Sequence, residues 1–330
     1  MERILTGDRP TGPLHLGHYA GSLRNRVKLQ DTCDTFIIIA DVQGLTTHWE
    51  TPEMIKVHSR EVALDNIAAA LDPERVRIFL QSMVPQIAEL TVFFGLFVTV
   101  NRLRHNPTIK TEARQYGYTD MTYGFLGYPV SQAADILFCR ADLVPVGEDQ
   151  LPHMEVTRFV ARRFNELYGP VFPEPKALVS EVSRLAGLDG GAKMSKSLGN
   201  AIYLKDGPEE VSAKVMSAVT DPARIRKNDP GHPEVCTVFS WHKAFNPGEV
   251  PEIETSCRAG SIGCVACKKN LAAVLNRLLD PIRERRAAYD RPGVVEEILG
   301  AGTGAARLEG EATMEKVREA MKIDYFGGGS

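Results

Sequence analysis

The residues best suited to chemistry lie in the segment from Ile4 to Tyr19, at the end of the first apolar strand. A turn rich in Gly and Pro follows this strand, and a helix then opens with the string His15-Leu16-Gly17-His18. Free backbone N–H groups and the positive end of the helix dipole make such a turn an anion-binding site. Gly17 lets a flat or bulky group approach the backbone, and two histidines three residues apart can reach the same phosphate. By itself, however, this string is more often a pair of ordinary histidines at the start of a helix.

A second candidate site lies far downstream, in the Gly-flanked stretch Lys193-Met194-Ser195-Lys196-Ser197. Two lysines and two serines in one loop form a cationic clamp that suits a polyphosphate. The alternative is a solvated basic loop. Five specified positions that follow an HxGH turn in this order favour the clamp, because the two motifs together are far more specific than either one.

Two further stretches place polar side chains beside apolar elements. Asp135 stands among Ala, Ile and Leu in the stretch Gly127 to Leu137, and a carboxylate in such surroundings costs several kcal/mol unless it has a partner. An aspartate bonded to backbone near the surface is the alternative. Downstream, the apolar strand Leu143 to Val146 ends in Gly147-Glu148-Asp149-Gln150. This edge is either a ligand-binding site or a strand-to-helix loop with a cap.

Four of the six cysteines follow the pattern C-x20-C-x6-C-x2-C, formed by Cys236, Cys257, Cys264 and Cys267. In a reducing compartment such a cluster indicates metal ligands rather than disulfides. Four thiolates suit either a structural Zn²⁺ or a four-iron cluster, and the spacing alone favours zinc. The other two cysteines lie outside the pattern and are predicted to be ordinary buried thiols.

The apolar runs of the first half predict the sheet that would position these residues. The β-branched run Thr35 to Asp41 is typical of a parallel strand buried on both faces. Thr51-Pro52 begins a helix that runs to about Leu71, and Val76 to Leu80 is the next strand. This alternation predicts an α/β, Rossmann-type doubly wound parallel sheet, whose ligands lie beyond the carboxyl ends of its strands. Residues 101–118 are predicted to be a polar, solvated segment.

Beyond Asn200 the sequence changes to helical patterns. One helix begins at Pro208, another spans Lys268 to about Tyr289, and two more are predicted to close the chain. We therefore expect a catalytic domain over residues 1–200, which includes the clamp, and a helical domain over residues 201–330.

Composition limits the class of protein. The chain has 330 residues, of which 43% are hydrophobic and 25% charged, as expected for a globular protein of two domains. Its net charge of −3 gives no overall sign of nucleic-acid binding, so a nucleic-acid partner would need local basic patches. Met1-Glu2-Arg3 leads straight into a strand, which predicts no signal peptide. The longest apolar run, Leu90 to Val100, is too short to span a bilayer. We expect a cytoplasmic protein without membrane association.

The HxGH and Lys-Met-Ser-Lys-Ser motifs together resemble the two signatures of the class I aminoacyl-tRNA synthetases. The strings Ala133 to Leu137 and Val144 to Gln150 are similar to those of the bacterial tryptophanyl-tRNA synthetases, and the resemblance covers nearly the whole chain. It implies an enzyme that activates tryptophan with ATP and Mg²⁺ and transfers it to tRNA(Trp). It also implies a homodimer in which residues 201–330 bind the tRNA anticodon.

The same resemblance assigns roles to individual residues. Charge on the phosphates would be stabilised by the catalytic residues His15, His18, Lys110, Lys193 and Lys196. ATP would contact Arg9, Pro10, Thr11, Gly17, His18, Gly147, Glu148, Asp149, Leu185, Lys193, Met194, Ser195, Lys196 and Ser197. Tryptophan would contact Leu5, Gly7, Gln43, Tyr128, Gln132, Asp135 and Gln150. Asp135 would accept the indole N–H, which suits a ring with one donor and no acceptor. A subset of these synthetases carries a [4Fe-4S] cluster on a similar cysteine pattern, so the resemblance favours iron–sulfur over zinc.

Three other functions fit parts of the sequence. A tyrosyl-tRNA synthetase is related, because a Gln near the Ala-Ala-Asp string also suits a phenol. A synthetase-like protein that binds tRNA without charging it usually loses part of the phosphate machinery, whereas both motifs are intact here. A general α/β nucleotidylyltransferase shares the HxGH turn but would not need a long helical C-terminal part.

Overall fold

A five-stranded parallel sheet organises the first half of the chain. The computed structural model describes residues 1–179, 185–191, 193–196 and 198–325. Within them the strands are β1 (Arg3–Asp8), β2 (Asp34–Ile39), β3 (Val76–Leu80), β4 (Leu143–Val146) and β5 (Lys176–Val179). Their order in the sheet is β3-β2-β1-β4-β5, and every pair is parallel. The predicted α/β doubly wound sheet is therefore confirmed, and its strand order reverses at β1, where such sheets bind ligands.

Helices cover the sheet and then continue into the second half. The first nine are α1 (Leu16–His18), α2 (Arg24–Leu29), α3 (Asp41–His48), α4 (Pro52–Ala68), α5 (Pro85–Gly95), α6 (Val100–Arg104), α7 (Pro107–Gln115), α8 (Tyr123–Leu137) and α9 (Leu151–Tyr168). The remaining five are α10 (Pro208–Ser217), α11 (Thr237–Phe245), α12 (Val250–Arg258), α13 (Cys264–Tyr289) and α14 (Val294–Ala320). A single π-helical turn, Tyr19–Leu23, joins α1 to α2. None of the helices in the described ranges is both long and apolar enough to cross a membrane.

One prediction about these helices was wrong, and another was incomplete, since the segment 101–118 is mostly exposed as expected but is also helical. The segment 101–118 contains α6 and α7, because Asn106 caps α7 through its side chain and Pro107 begins it. The end of the chain forms one long helix, α14, where two were predicted. This helix packs on β3 so closely that a Cβ on Gly302 would lie 2.1 Å from the carbonyl oxygen of Ile78. Burial against the sheet stabilises a segment whose glycines are poor helix formers.

Two large apolar clusters and one small cluster lie among the described residues, and one of the large clusters contains residues of both candidate motifs. Leu14 and Leu16 of the HxGH turn are fully buried in the same cluster as Met194 of the clamp loop. Ile37 and Ile39, on one face of β2, and the indole of Trp241 belong to this cluster as well. The turn and the clamp are thus held by one continuous core, although about 180 residues of sequence separate them.

Candidate active site

The two histidines of the HxGH turn lie against each other at the carboxyl end of β1. Their ring centroids are 3.9 Å apart. His15 is the N-cap of α1, and its Nδ1 accepts the backbone N–H of Gly17 at 3.1 Å. The Nδ1 of His18 accepts the backbone N–H of His15 at 3.2 Å. A Cβ on residue 17 would lie 2.9 Å from the His15 ring, so only glycine leaves room for this arrangement.

These hydrogen bonds determine which nitrogen of each histidine carries the proton. Burial lowers the pKa of His15 to about 3, with Lys196 and Lys193 adding to the effect. Burial also lowers the pKa of His18 well below its usual value. Both rings are therefore neutral, and because each Nδ1 accepts, each Nε2 must carry the hydrogen. The turn therefore contains two neutral N–H donors, which can hydrogen-bond to an anion.

Lys196 brings the clamp loop onto this turn. Its Nζ donates to the carbonyl oxygen of Gly12 at 2.7 Å and lies 3.5 Å from that of Arg9. Burial lowers the pKa of Lys196 to about 8, while Asp8 acts in the opposite direction. The side chain of Lys193, by contrast, is exposed. The structure therefore brings Lys196 into contact with the turn and leaves Lys193 exposed to solvent.

Asn200 organises the clamp loop and was not predicted as a site residue. It is almost fully buried, and its Oδ1 accepts the backbone N–H of Ser195 at 2.8 Å. Its Nδ2 donates to both carboxylate oxygens of Asp189 at 3.1 Å. Met194 adds a backbone hydrogen bond to the carbonyl of Leu185 at 2.9 Å. Leu185, predicted to pack on adenine, is buried in the core cluster, and Ser197 lies outside the described residues.

A buried ion pair between Asp8 and Arg26 lies beside the turn, and the sequence did not predict it. Asp8 ends β1 and accepts two hydrogen bonds from Arg26, at 2.6 and 3.1 Å. Arg26 is only 2% exposed and also donates to Asn66 at 2.9 Å. Burial raises the pKa of Asp8, but Arg26 outweighs it and holds that pKa well below its usual range. Asp8 is thus a fixed negative charge beside His18 and Lys196.

Asp135 lies on α8, and two side-chain amides donate to its carboxylate. Gln81 donates to its Oδ1 at 2.7 Å, and Gln43 donates to its Oδ2. Burial raises the pKa of Asp135 to about 8, against the opposing effect of these two hydrogen bonds. Its 3% exposure excludes the alternative of an aspartate near the surface. Gln43 was predicted as a tryptophan contact, whereas Gln81 was not predicted as a site residue.

A hydrogen-bonded chain links the neighbouring side chains of α7, α8 and α9. The hydroxyl of Tyr128 donates to Glu112 at 2.9 Å and lies 2.7 Å from Nε2 of His153. Glu112 also faces Arg9, with 3.7 Å between the charged atoms. Burial lowers the pKa of His153 to about 4, so the neutral ring donates to Tyr128 through Nε2. On α7 it is therefore Glu112 that faces the site, while Lys110 is exposed.

The remaining predicted contacts line the same edge of the sheet. Gln132 donates to Gln150 at 3.4 Å, and the backbone carbonyl of Asp149 accepts the hydroxyl of Thr108 at 2.9 Å. Glu148 and Asp149 are exposed at the end of β4. Buried or partly buried positions around the turn are Leu5, Gly7, Pro10, Thr11 and Gly147. A Cβ on residue 7 would lie 2.0 Å from the carbonyl oxygen of Ile38, so glycine is required there for strand packing.

The four predicted metal ligands lie together in the second half of the chain. One small cavity is lined by Cys236, Cys257, Cys264 and Cys267, together with apolar side chains and Arg224. Arg224 Nη1 lies 3.9 and 3.8 Å from the sulfurs of Cys257 and Cys264. Burial raises the pKa of the Cys267 thiol to about 12, with the other three cysteines adding to the effect. In the described part of the chain, no three His, Cys, Asp or Glu side chains stand at the spacing of metal ligands. The donor set fits a four-thiolate centre in its chemistry, although the sulfurs are not drawn together around an ion.

Comparison with known proteins identifies the family. The family model described as "tRNA synthetases class I (W and Y)" matches residues 1–280. The tryptophan–tRNA ligase of Treponema pallidum is 49% identical over 98% of this chain and 97% of its own length. That of Thermotoga maritima is 46% identical over 98% of this chain and its full length. The crystal structure of the tryptophanyl-tRNA synthetase from Campylobacter jejuni, complexed with ADP and tryptophan, has a TM-score of 0.85 and 31% identity. The structural match covers 97% of this chain and 99% of the Campylobacter jejuni chain. The chain belongs to the class I aminoacyl-tRNA synthetases of the tryptophan and tyrosine group.

Proposed function

We propose that the chain is a tryptophan–tRNA ligase, which converts tryptophan and ATP to tryptophanyl-adenylate and pyrophosphate and then charges tRNA(Trp). The tryptophan–tRNA ligases of Treponema pallidum and Thermotoga maritima are 49% and 46% identical to it over nearly its whole length. The single observation that carries the choice of substrate is Asp135, a buried carboxylate bonded to two amides and to no cation among the described residues. A buried indole N–H is the donor that such a carboxylate can accept.

Activation requires positioning and charge stabilisation rather than a protein nucleophile. A carboxylate oxygen of tryptophan attacks the α-phosphorus of ATP, the bond to the β-phosphate oxygen breaks, and pyrophosphate leaves. The neutral Nε2–H groups of His15 and His18 donate to phosphate oxygens, and Lys193 and Lys196 neutralise the charge that develops on them. The Mg²⁺ that we expect is carried by the phosphates of ATP. Asp8 limits the excess positive charge of the turn before ATP binds.

The other predicted contacts divide between the two substrates. ATP contacts remain assigned to Arg9, Pro10, Thr11, Gly17, Gly147, Glu148, Asp149, Leu185, Met194, Ser195 and Ser197. Tryptophan contacts remain assigned to Leu5, Gly7, Gln43, Tyr128, Gln132 and Gln150. Lys110 is retained as a catalytic residue that would reach the phosphates from the exposed face of α7.

We also infer that Cys236, Cys257, Cys264 and Cys267 hold a [4Fe-4S] cluster, with a structural Zn²⁺ as the alternative. The support is that all four thiols line one cavity and that Arg224 brings a positive charge to it. Such a centre would cross-link three helical segments and would take no part in the reaction. It would lie in residues 201–330, which we propose as the anticodon-binding part. Within this part, α14 packs back onto β3 of the catalytic sheet.

A homodimer in the cytoplasm is the assembly that we propose. Its support is a group of exposed apolar side chains at the end of α5 and the start of α6, where Val92, Leu96 and Val100 are 53–69% exposed. Exposed apolar side chains grouped in one stretch of the chain are typical of a protein interface.

The test is ATP–pyrophosphate exchange by the purified chain with tryptophan or tyrosine, followed by charging of tRNA(Trp). We expect exchange with tryptophan and charging of the tRNA. Exchange with tyrosine alone would show a tyrosyl enzyme. Binding of tRNA without any exchange would show a non-catalytic synthetase-like protein, and exchange without charging would favour a nucleotidylyltransferase.

A further inference from the structure

Gln81 has no role in the site as assigned so far, yet it touches the residue that selects the amino acid. It directly follows β3 in a 3₁₀ turn, Gln81–Met83, and is 3% exposed. Its Nε2 donates to Oδ1 of Asp135 at 2.7 Å. Its Oε1 accepts the backbone N–H of Gln43 at 3.1 Å. One side chain therefore joins the ends of β3, α3 and α8.

The backbone contact determines the direction of this amide. A backbone N–H can only donate, so the oxygen of Gln81 must face residue 43 and the NH₂ group must face the carboxylate. The next residue, Ser82, donates its backbone N–H to Asp41 at 2.9 Å, which ties the same turn to α3. Gln81 is consequently held on both sides and cannot flip without losing two hydrogen bonds.

We propose that Gln81 is a positioning residue for amino-acid selection, which orients the carboxyl group of Asp135 so that a lone pair is directed towards the indole N–H. This inference rests on the proposed function. A carboxylate offers about four acceptor sites, and the two glutamines use one on each oxygen. Acceptor capacity therefore remains for a ligand donor, in a direction that the two amides define.

The charges around Asp135 explain why it needs this donor. Burial raises its pKa, the hydrogen bond from Gln81 is the largest opposing effect, Gln43 follows, and Asp41 raises it further. Ionisable groups on the other packed helices face elsewhere: His153 of α9 towards Tyr128, Glu89 of α5 towards Arg318, and Arg102 of α6 over Phe159. Neutral amides thus replace the cation that usually stabilises a buried carboxylate.

The experiment compares Gln81→Leu with Gln86→Leu in the full-length enzyme. Gln86 is the matched control, since it is also a nearly buried glutamine but donates to Glu311 of α14. We expect Gln81→Leu to raise KM for tryptophan about tenfold or more with little change in kcat. The rise of kcat/KM for tryptophan through about pH 8, which reports ionisation of Asp135, should move to higher pH. Gln86→Leu should leave both quantities unchanged.

Two further measurements separate positioning from a general structural role. The first is the preference for tryptophan over its benzothiophene analogue, which has the same shape but no N–H donor. Gln81→Leu should narrow this preference. The second is the double variant with Asp135→Asn, in which Gln81→Leu should add little, because Gln81 acts through Asp135. If Gln81→Leu fails to fold, Gln81→Glu retains the shape and should weaken tryptophan binding in the same way by placing a second carboxyl beside Asp135.

An unchanged KM, pH profile and analogue preference in Gln81→Leu or Gln81→Glu would overturn the inference, as would full additivity with Asp135→Asn. These results would leave the proposed function intact. Failure of the proposed function itself would appear as absence of tryptophan-dependent exchange in the unmodified enzyme.

Discussion

Replacing Lys196 by alanine should slow adenylate formation while leaving tryptophan binding nearly unchanged. Lys196 is a partly buried cation whose Nζ lies 2.7 Å from the carbonyl of Gly12, at the turn that would hold the phosphates. It makes no contact with Asp135 or with the side chains around it. Its charge therefore acts on the phosphates as they become more negative in the transition state, and not on the bound amino acid.

The expected size of the effect follows from burial. Removal of one preorganised donor from a developing charge costs about 10²–10³ in kcat, or roughly 2.7–4 kcal/mol. Lys196 is shielded from water and should show the upper part of this range. Lys193 is exposed, so its charge is screened and Lys193→Ala should lose less. Because burial lowers the pKa of Lys196 to about 8, kcat/KM for ATP should fall as pH rises through that value, when the ammonium loses its proton.

The assay is tryptophan-dependent pyrophosphate exchange over a range of ATP concentrations and pH, with tryptophan affinity measured separately by calorimetry. Lys28→Ala is the matched control, since Lys28 is exposed on α2 away from the turn. Equal losses in exchange rate and tryptophan affinity would refute the clamp role. A pH profile for ATP that is the same in Lys196→Ala as in the unmodified enzyme would refute the assignment of the pH dependence.

Four other outcomes can be checked independently. Asp135→Ala should lower kcat/KM for tryptophan by about 5–150-fold, since an unpaired buried donor costs about 1–3 kcal/mol; intact discrimination against tyrosine in this variant would contradict the assigned role. Cys264→Ser should lower tRNA charging while sparing pyrophosphate exchange, and anaerobically purified enzyme should be brown with about four irons per chain; colourless protein with one zinc would identify the other metal. Arg26→Met should lower the free energy of unfolding in urea by about 3–5 kcal/mol, because it leaves Asp8 charged and unpaired. The control Arg75→Met removes an exposed ion pair and should cost at most about 1 kcal/mol. Sedimentation velocity at micromolar concentration should give a dimer, and a monomer would disprove that assembly.

The strands β1 to β4 and the position of Asp135 could be predicted because their signals are local, whereas β5 was not predicted. A continuous β-branched run gave β2, and alternation with helices gave the parallel sheet. The polarity of the segment 101–118 correctly predicted its exposure but not its helices, although a cap signal is present in the sequence. Asn106 accepts the backbone N–H groups of residues 108 and 109 at 2.9 and 3.3 Å, and Pro107 follows it. Polarity indicates exposure, but Asn-Pro indicates where a helix begins.

The protonation of the HxGH turn could not be predicted from the sequence, because it depends on atoms that only the fold brings together. Two adjacent histidines near two lysines suggest a strongly cationic site. In the structure both rings are buried and accept backbone N–H groups through Nδ1, so both are neutral donors. Lys196 adds a partly buried positive charge, and Asp8, which Arg26 already pairs, lies near it. The site therefore relies on oriented dipoles more than on net charge.

The signal that identified Asp135, a carboxylate among apolar residues on a helix, occurs a second time at Asp65 in the run Val62 to Ile67. The structure separates the two cases by their partners. Asp65 accepts the backbone N–H of Leu14 at 2.8 Å and forms an ion pair with Arg286 of α13, so its charge is satisfied within the chain. Asp135 receives only neutral amides from the described residues. A buried carboxylate that has its own cation holds the fold together, and one that lacks a cation has capacity for a donor from a ligand. The sequence pattern cannot make this distinction, because Arg286 lies 221 residues away from Asp65.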